Sequence, residues 1–423
     1  MEIDANNKYQ AISVSRLEIG MYVAELDRPW KETPFQYKGF EILSMSEIDL
    51  LQQHCDTVFV DPGHVSTLGT NRQRVVVRES AAAQIEAQRL RLLGQLTDSD
   101  AHDYSDTRRP KQDAKAATKA FNHARAATER LFHAISTGKP VEAPHCRGVV
   151  EPLVKCTLAN PDAMAWLTFI NKSDPQRHDR RISTAVWASI FARYLGMTPP
   201  AVLDVATGGL LLDIGFTRIA SSLQTHDGLF AGRERLAMQS HVRLGFEMLG
   251  RIPGITDRIF QMQRQHHERI DGSGYPRQLK GEAIGAYGSM AAIVDCYDAM
   301  ITDTPYRPAL SSAAAITELN SLVDTHFPRL HVQCFVQSLG MFPSGSIVQL
   351  NTGEVAIVIE QDSRHRLRPV VLVVCNDAQE RLEKPYKMKL VSMNRDANDE
   401  NSIWIDRGHP TGTYGIHPQR YFE

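Results

Sequence analysis

The residues best suited to chemistry here are two adjacent histidines, His266 and His267. Glu268 follows at once, and then the stretch Ile270-Asp271-Gly272-Ser273-Gly274-Tyr275-Pro276. Successive side chains on a helix diverge by about 100°, so neighbouring histidines make a poor chelate for one ion. They can instead serve different ions of a paired site, whose metals stand ~3.5–4 Å apart. Gly272, Gly274 and Pro276 read as a tight turn that stops the helix and presents Tyr275 on a loop. Imidazoles, a carboxylate and a loop in one segment point to a site that handles phosphates. The competing reading is structural, because a cationic histidine also favours a helix C-terminus.

Such residues need a frame. Apolar positions recur at helical spacing in residues 166–170, 182–195, 202–212, 241–249, 255–265 and 289–300, so residues 149–339 are expected to form a nearly all-helical core. Before it, β-type runs around Ile12, Val14, Met21 and Val23, helical spacing over residues 46–54 and a strand at 57–60 outline a small α+β domain at residues 1–65. Residues 66–148 are polar, with helices over 79–93 and 111–135. They read as a helical linker, the kind of segment that serves as a connector or a dimerising stalk, so a homodimer is one expected assembly. After the core, runs at 346–350, 355–359 and 370–374, with a hairpin turn at Asn351-Thr352-Gly353-Glu354, give a β extension over 340–423 that ends in a loosely ordered tail.

At 423 residues the chain is long enough for two or three domains. Lys and Arg total 47 against 49 Asp and Glu, so the net charge of −2 gives no reason to expect a nucleic-acid or membrane partner. No signal peptide or apolar run of membrane-spanning length stands out, and a cytoplasmic location is expected. The six cysteines form no CxxC pair and read as reduced, packed thiols.

The run from His266 to Pro276, HHERIDGSGYP, resembles the signature of the HD-GYP family, a branch of the HD-domain metallohydrolases. Members of that family hydrolyse the bacterial second messenger cyclic di-GMP at a two- or three-metal centre. The resemblance covers residues 170–335. It implies a mainly α fold: an HD-type helical bundle core with a small N-terminal α+β domain and a C-terminal β-hairpin extension. Residues 15–30 and 59–62 resemble a small domain of unknown function often found N-terminal to HD-GYP domains. By the resemblance, Asp213 takes the place of the metal-binding, catalytic aspartate. His241 matches a ligand, His266 and His267 the paired histidines, and Asp295 the closing carboxylate. This set would hold a divalent metal, iron or manganese. Gly274, Tyr275, Pro276 and Arg307 are the expected substrate contacts.

Several positions depart from the family pattern. Leu212 stands where the family has histidine, Phe216 where it has lysine, and Thr304 where it has arginine. Gln176 and Arg180 fall where a glutamate and a histidine are usual, and Ser289 where an arginine is usual. His178 lies about 200° around a helix from the expected ligand position. Leucine cannot coordinate a cation, and Arg180 puts positive charge where a ligand is expected. Loss of the usual lysine and arginine leaves transition-state charge less well neutralised. The expectation is a degenerate metal centre, its metal sub-stoichiometric or absent. The chain would then be weakly active or inactive, acting by binding cyclic di-GMP or a signalling protein such as a diguanylate cyclase through the Gly-Tyr-Pro loop. Two alternatives stand beside this. One is a functional metal-dependent cyclic di-GMP phosphodiesterase that yields the linear dinucleotide or GMP. The other is an HD-type phosphohydrolase of another nucleotide, with one metal held by Asp213, His267 or Asp295. His331 and His365 lie outside the matched positions and read as surface or packing residues.

Overall fold

Short β-branched and aromatic runs build the N-terminal sheet. The computed structural model describes residues 9–17, 21–30, 33, 39–42, 45–61, 81–96, 101–104, 110–172, 179–220, 223, 232–304, 307–361, 369–390, 403–416 and 418–422. Strands β1 (Gln10–Ser13), β2 (Tyr22–Leu26), β3 (Phe40–Glu41) and β4 (Thr57–Val60) pair antiparallel in the order β1-β4-β2-β3. Alternation turns Val23, Val58 and Val60 inward, where they meet Ile42 and the residues Ile48 and Leu51 of helix Met45–His54. Asp27 braces this unit by accepting from the backbone N–H groups of Asp56 and Thr57 at 2.7 and 2.9 Å. The side-chain hydrogen bond from Arg28 holds its carboxyl well below the usual range. Among the described residues, those up to 85 belong to this unit and those from 86 onward to a second.

The second unit is organised around helix Arg180–Leu195. Asp179 caps its start by accepting from the Arg181 N–H, and Gly196, at φ 81°, ends it in the left-handed region that glycine adopts freely. Thirteen of its 16 residues are buried, as a helix packed on all sides requires. Trp187 meets Tyr297 edge-on at 5.6 Å, and Phe191 meets Phe335 at 5.3 Å, so this helix touches both Ala286–Met300 and Arg329–Leu339. The Trp187 indole N–H also donates to Asp298 at 3.0 Å, which ties the core to the site described below.

Three expectations need correction. Helix Pro110–Ser136 was expected in a linker, but Ala117, Phe121, Ala124, Leu131 and Ile135 form a stripe buried in the main core. A free stalk would leave that stripe in water. The stretch Pro199–Arg218 is long and apolar enough by composition to cross a membrane, at mean hydropathy 1.3, but 72% of it is buried in the helical core. The C-terminal β extension is present as expected, but residues 405–409 of its expected loosely ordered tail join the sheet. Strands β5 (Ile347–Leu350), β6 (Val355–Glu360), β7 (Val370–Cys375), β8 (Arg381–Lys389) and β9 (Ile405–His409) form an antiparallel sheet in the order β8-β7-β6-β5-β9. One face, with Ile347, Val355 and Ile357, joins the helical core, and the other, with Val348, Ala356 and Val358, closes a core of its own.

His331, on helix Arg329–Leu339, is 5% exposed, and neither ring nitrogen has a hydrogen-bond partner among the described residues. Burial lowers its pKa from 6.5 to about 4. Between those values the unfolded chain binds a proton there that the folded chain does not, so stability falls as pH drops through the window. The full shift corresponds to ~3 kcal/mol. Urea midpoints should therefore decline from pH 6.5 to 4 more steeply for the wild type than for His331→Phe. Parallel declines would remove His331 as the cause.

Candidate metal centre

Four ligand residues converge where helix ends meet. Asp213 follows helix Pro199–Leu211, His241 opens helix His241–Leu249, and His266 and His267 leave the end of helix Asp257–Gln265. Gly215 permits this approach, because a methyl group there would overlap the His241 carbonyl oxygen. Gln263 joins the other two elements by donating from Nε2 to the Val242 carbonyl at 3.0 Å.

Ring orientation sets the chemistry. His241 Nδ1 lies 2.8 Å from the Met238 carbonyl oxygen, and His266 Nδ1 lies 2.6 Å from that of Gln263. A carbonyl can only accept, so each ring carries a proton on Nδ1, and a ring in its neutral form presents a lone pair at Nε2. Those Nε2 atoms face each other across 3.3 Å, and Asp213 Oδ1 lies 3.4 Å from one and 3.7 Å from the other. With a ring nitrogen of His267, the ligand atoms all fall within 4.8 Å of one another. Acceptors held this close repel one another unless a cation or proton lies among them. Bracing of the far ring nitrogen by a carbonyl is the usual support of a metal-bound imidazole. The donor set therefore fits a divalent cation. When bound, such an ion polarises a phosphoryl oxygen and lowers the pKa of a coordinated water.

Burial pulls the His241 pKa down to about 4 and that of His267 well below its ordinary value. Both are thus neutral at physiological pH, as metal ligation requires. Burial opposes ionisation of Asp213, but the His266 ring, when it carries a proton on Nε2 as well, and the Arg180 guanidinium outweigh it and hold the carboxyl well below the usual range.

Asp295, expected among the ligands, has a different partner. Arg180 Nη2 donates to its Oδ1 at 2.5 Å and to its backbone oxygen at 3.3 Å. Arg180 Nε lies 3.7 Å from the buried Asp298, whose other oxygen accepts from Trp187. Burial raises the Asp295 pKa against the opposing pull of Arg180. Leu212 is 2% exposed and belongs to the apolar core. Phe216 lies flat on His241, with ring centroids 4.2 Å apart and planes 11° apart. Gln176 and His178 lie outside the described residues.

The cluster opens onto a cavity of about 330 Å³, which Arg180, Phe216, Arg235, Tyr275 and Asp295 also line. Arg235 is hard to find from sequence because helix Gly232–Gln239 is rich in charge and reads as a solvated face. Its place on the helix directly before His241 was the available signal. Arg307, expected at the substrate, instead donates to the Ala299 carbonyl at 2.7 Å and does not line this cavity. Thr304 bonds with Arg307 across a tight turn.

The glycine-rich loop divides its labour. Tyr275 stacks on His267 with centroids 4.6 Å apart, whereas Pro276 is exposed and lines no part of the cavity. Gly274 is buried with no room for a Cβ, because the backbone of residues 267–269 lies against it. Glu268, 1% exposed, holds the loop by accepting from the Arg277 and Leu279 N–H groups at 2.8 and 2.9 Å. Replacing Glu268 by alanine strips partners from both donors, so a loss of about 2–4 kcal/mol is expected in chemical denaturation. An unchanged midpoint would show that the carboxylate does not hold the loop.

Comparison with known proteins adds to this geometry. Residues 165–329 match the HD domain family, residues 9–146 a domain of unknown function, DUF3391, and residues 347–396 a KOW domain associated with HD domains. The chain is 26% identical over 400 residues to the cyclic di-GMP phosphodiesterase PA4108 of Pseudomonas aeruginosa, covering 93% of this chain and 91% of that protein. It is 34% identical over 136 residues to the cyclic di-GMP phosphodiesterase response regulator RpfG of Xanthomonas campestris, covering 31% of this chain and 35% of that protein. Among solved structures, the HDG"Y"P protein Bd1817 of Bdellovibrio bacteriovorus aligns with 77% of this chain and 98% of its own, at 14% identity and a TM-score of 0.39.

Proposed function

We propose, for a chain that belongs to the HD-GYP branch of the HD-domain proteins, that it binds cyclic di-GMP in the cavity at Asp213, His241, His266 and His267 and hydrolyses it slowly at a single divalent metal. The observation that carries this reading is the guanidinium of Arg180, 2.5 Å from Asp295. It engages with an organic cation the carboxylate that the family pattern assigns to a metal, while the four-residue cluster beside it keeps the geometry of a chelate. Leu212 offers no imidazole to restore a second coordination sphere. Imidazole and carboxylate donors suit iron or manganese.

The chain's own groups account for substrate binding. Arg180 and Arg235 line the cavity and can donate to phosphodiester oxygens. They would take over the work of the lysine and arginine whose places Phe216 and Thr304 fill in this chain. Phe216 and Tyr275 place aromatic faces on the same cavity, where a nucleobase can stack. The inward stacking of Tyr275 on His267 favours a nucleotide over a protein partner as what the Gly-Tyr-Pro loop serves. A cytoplasmic second-messenger role accompanies this reading.

Titration of the full chain with cyclic di-GMP in the presence of manganese should show saturable binding. Turnover to the linear dinucleotide or GMP should fall well under the ~1 s⁻¹ at the low end of ordinary enzymes. Turnover in the ordinary range would contradict the slow-hydrolysis reading, and absence of binding at millimolar nucleotide would contradict both parts.

A further inference from the structure

A second cavity, of about 770 Å³, opens between helix Ala81–Gln95, helix Arg329–Leu339 and the turn Gly281–Ala283. It shares no lining residue with the metal-centre cavity. Its volume lies within the roughly 300–1,000 Å³ common for small-molecule sites. His331 lines it, 5% exposed and with both ring nitrogens unpartnered among the described residues.

The charges on the walls narrow the choice of partner. Arg329 is paired with Asp324, which leaves Arg91 and Glu282 as the free charges among the described residues, and they are of opposite sign. Gln88 and Gln333 add carboxamides, and Ile284 and Leu330 add apolar surface. We propose that this cavity binds a guanine base. Guanine offers N1–H and N2–H donors that suit the Glu282 carboxylate, and O6 and N7 acceptors that suit the Arg91 guanidinium. The carboxamides can meet the rest of the ring edge, and the aliphatic side chains its faces. Adenine has an acceptor at N1 and a donor at N6, so it opposes both charged groups. The four wall charges cancel, so the base is read there and the phosphate of a nucleotide stays at the open mouth.

This site also borders the metal-centre frame. Ile270 belongs to the segment that carries His266 and His267, and Ser289 lies on the helix that carries Asp295. The guanine could come from free GMP or from one base of cyclic di-GMP.

Calorimetric titration of the full chain with GMP, guanosine, AMP and cyclic di-GMP tests the assignment. GMP and guanosine should bind at one site with similar affinity, and AMP at least about tenfold more weakly. Glu282→Gln and Arg91→Ala, both at exposed positions, should each weaken GMP about tenfold or more. The His241→Ala, His267→Ala double variant should keep GMP binding, which separates this site from the metal-centre reading. If that double variant still binds cyclic di-GMP, the dinucleotide is a source of the base; if it does not, the ligand is the free mononucleotide. No saturable GMP binding, equal binding of AMP, an unaffected Glu282→Gln, or loss of GMP binding in the metal-centre variant would each overturn the proposal.

Discussion

A chain carrying Arg180→His with Leu212→His is expected to hold close to two equivalents of manganese or iron and to hydrolyse cyclic di-GMP at least about tenfold faster than the wild type. Removal of the guanidinium frees the Asp295 carboxylate, now held at 2.5 Å, and the new imidazoles supply the ligands that a second ion needs. A tenfold gain corresponds to about 1.4 kcal/mol of barrier, modest beside what a second ion can contribute to charge neutralisation. Leu212 is buried, so an imidazole there disturbs the core, and Arg180→His alone is the companion variant. Metal content that stays at one equivalent in both variants would mean that Arg180 does not exclude the second cation.

The opposite change should silence the site. His241→Ala with His266→Ala removes both Nε2 atoms that face each other across 3.3 Å and leaves Asp213 and His267 as the remaining members of the cluster. Loss of a group that merely supports a ligand already weakens metal affinity some 10- to 100-fold, so loss of two ligands should exceed about 100-fold. Elemental analysis and cyclic di-GMP titration check this together. Metal is expected to disappear, and nucleotide affinity to fall if the ion contacts the phosphodiester. Retention of tightly bound metal would place the ion somewhere other than among these rings.

Much of this was legible in the residues, for identifiable reasons. The HHERIDGSGYP run carries its own local geometry: the helix ends at Gln265, and His267 and Tyr275 meet because the turn between them is short. Helical spacing located the core because its helices bury continuous apolar stripes. What stayed hidden depends on partners distant in sequence. The pairing of Asp295 with Arg180 spans 115 positions, and a motif names the carboxylate without naming its partner. The flat stacking of Phe216 on His241 and the arrival of Arg235 at the cavity are likewise set by tertiary packing. Strand β9 looked like tail because its residues alternate weakly. Its apolar lead-in, Ile403-Trp404-Ile405, was the signal that it returns to the sheet beside β5.

The most direct measurement is the metal content of the wild-type full chain, reconstituted with manganese or iron and then desalted. One equivalent per chain is the expected value, held by Asp213, His241, His266 and His267 while Arg180 occupies Asp295. Two or more tightly bound equivalents would contradict it.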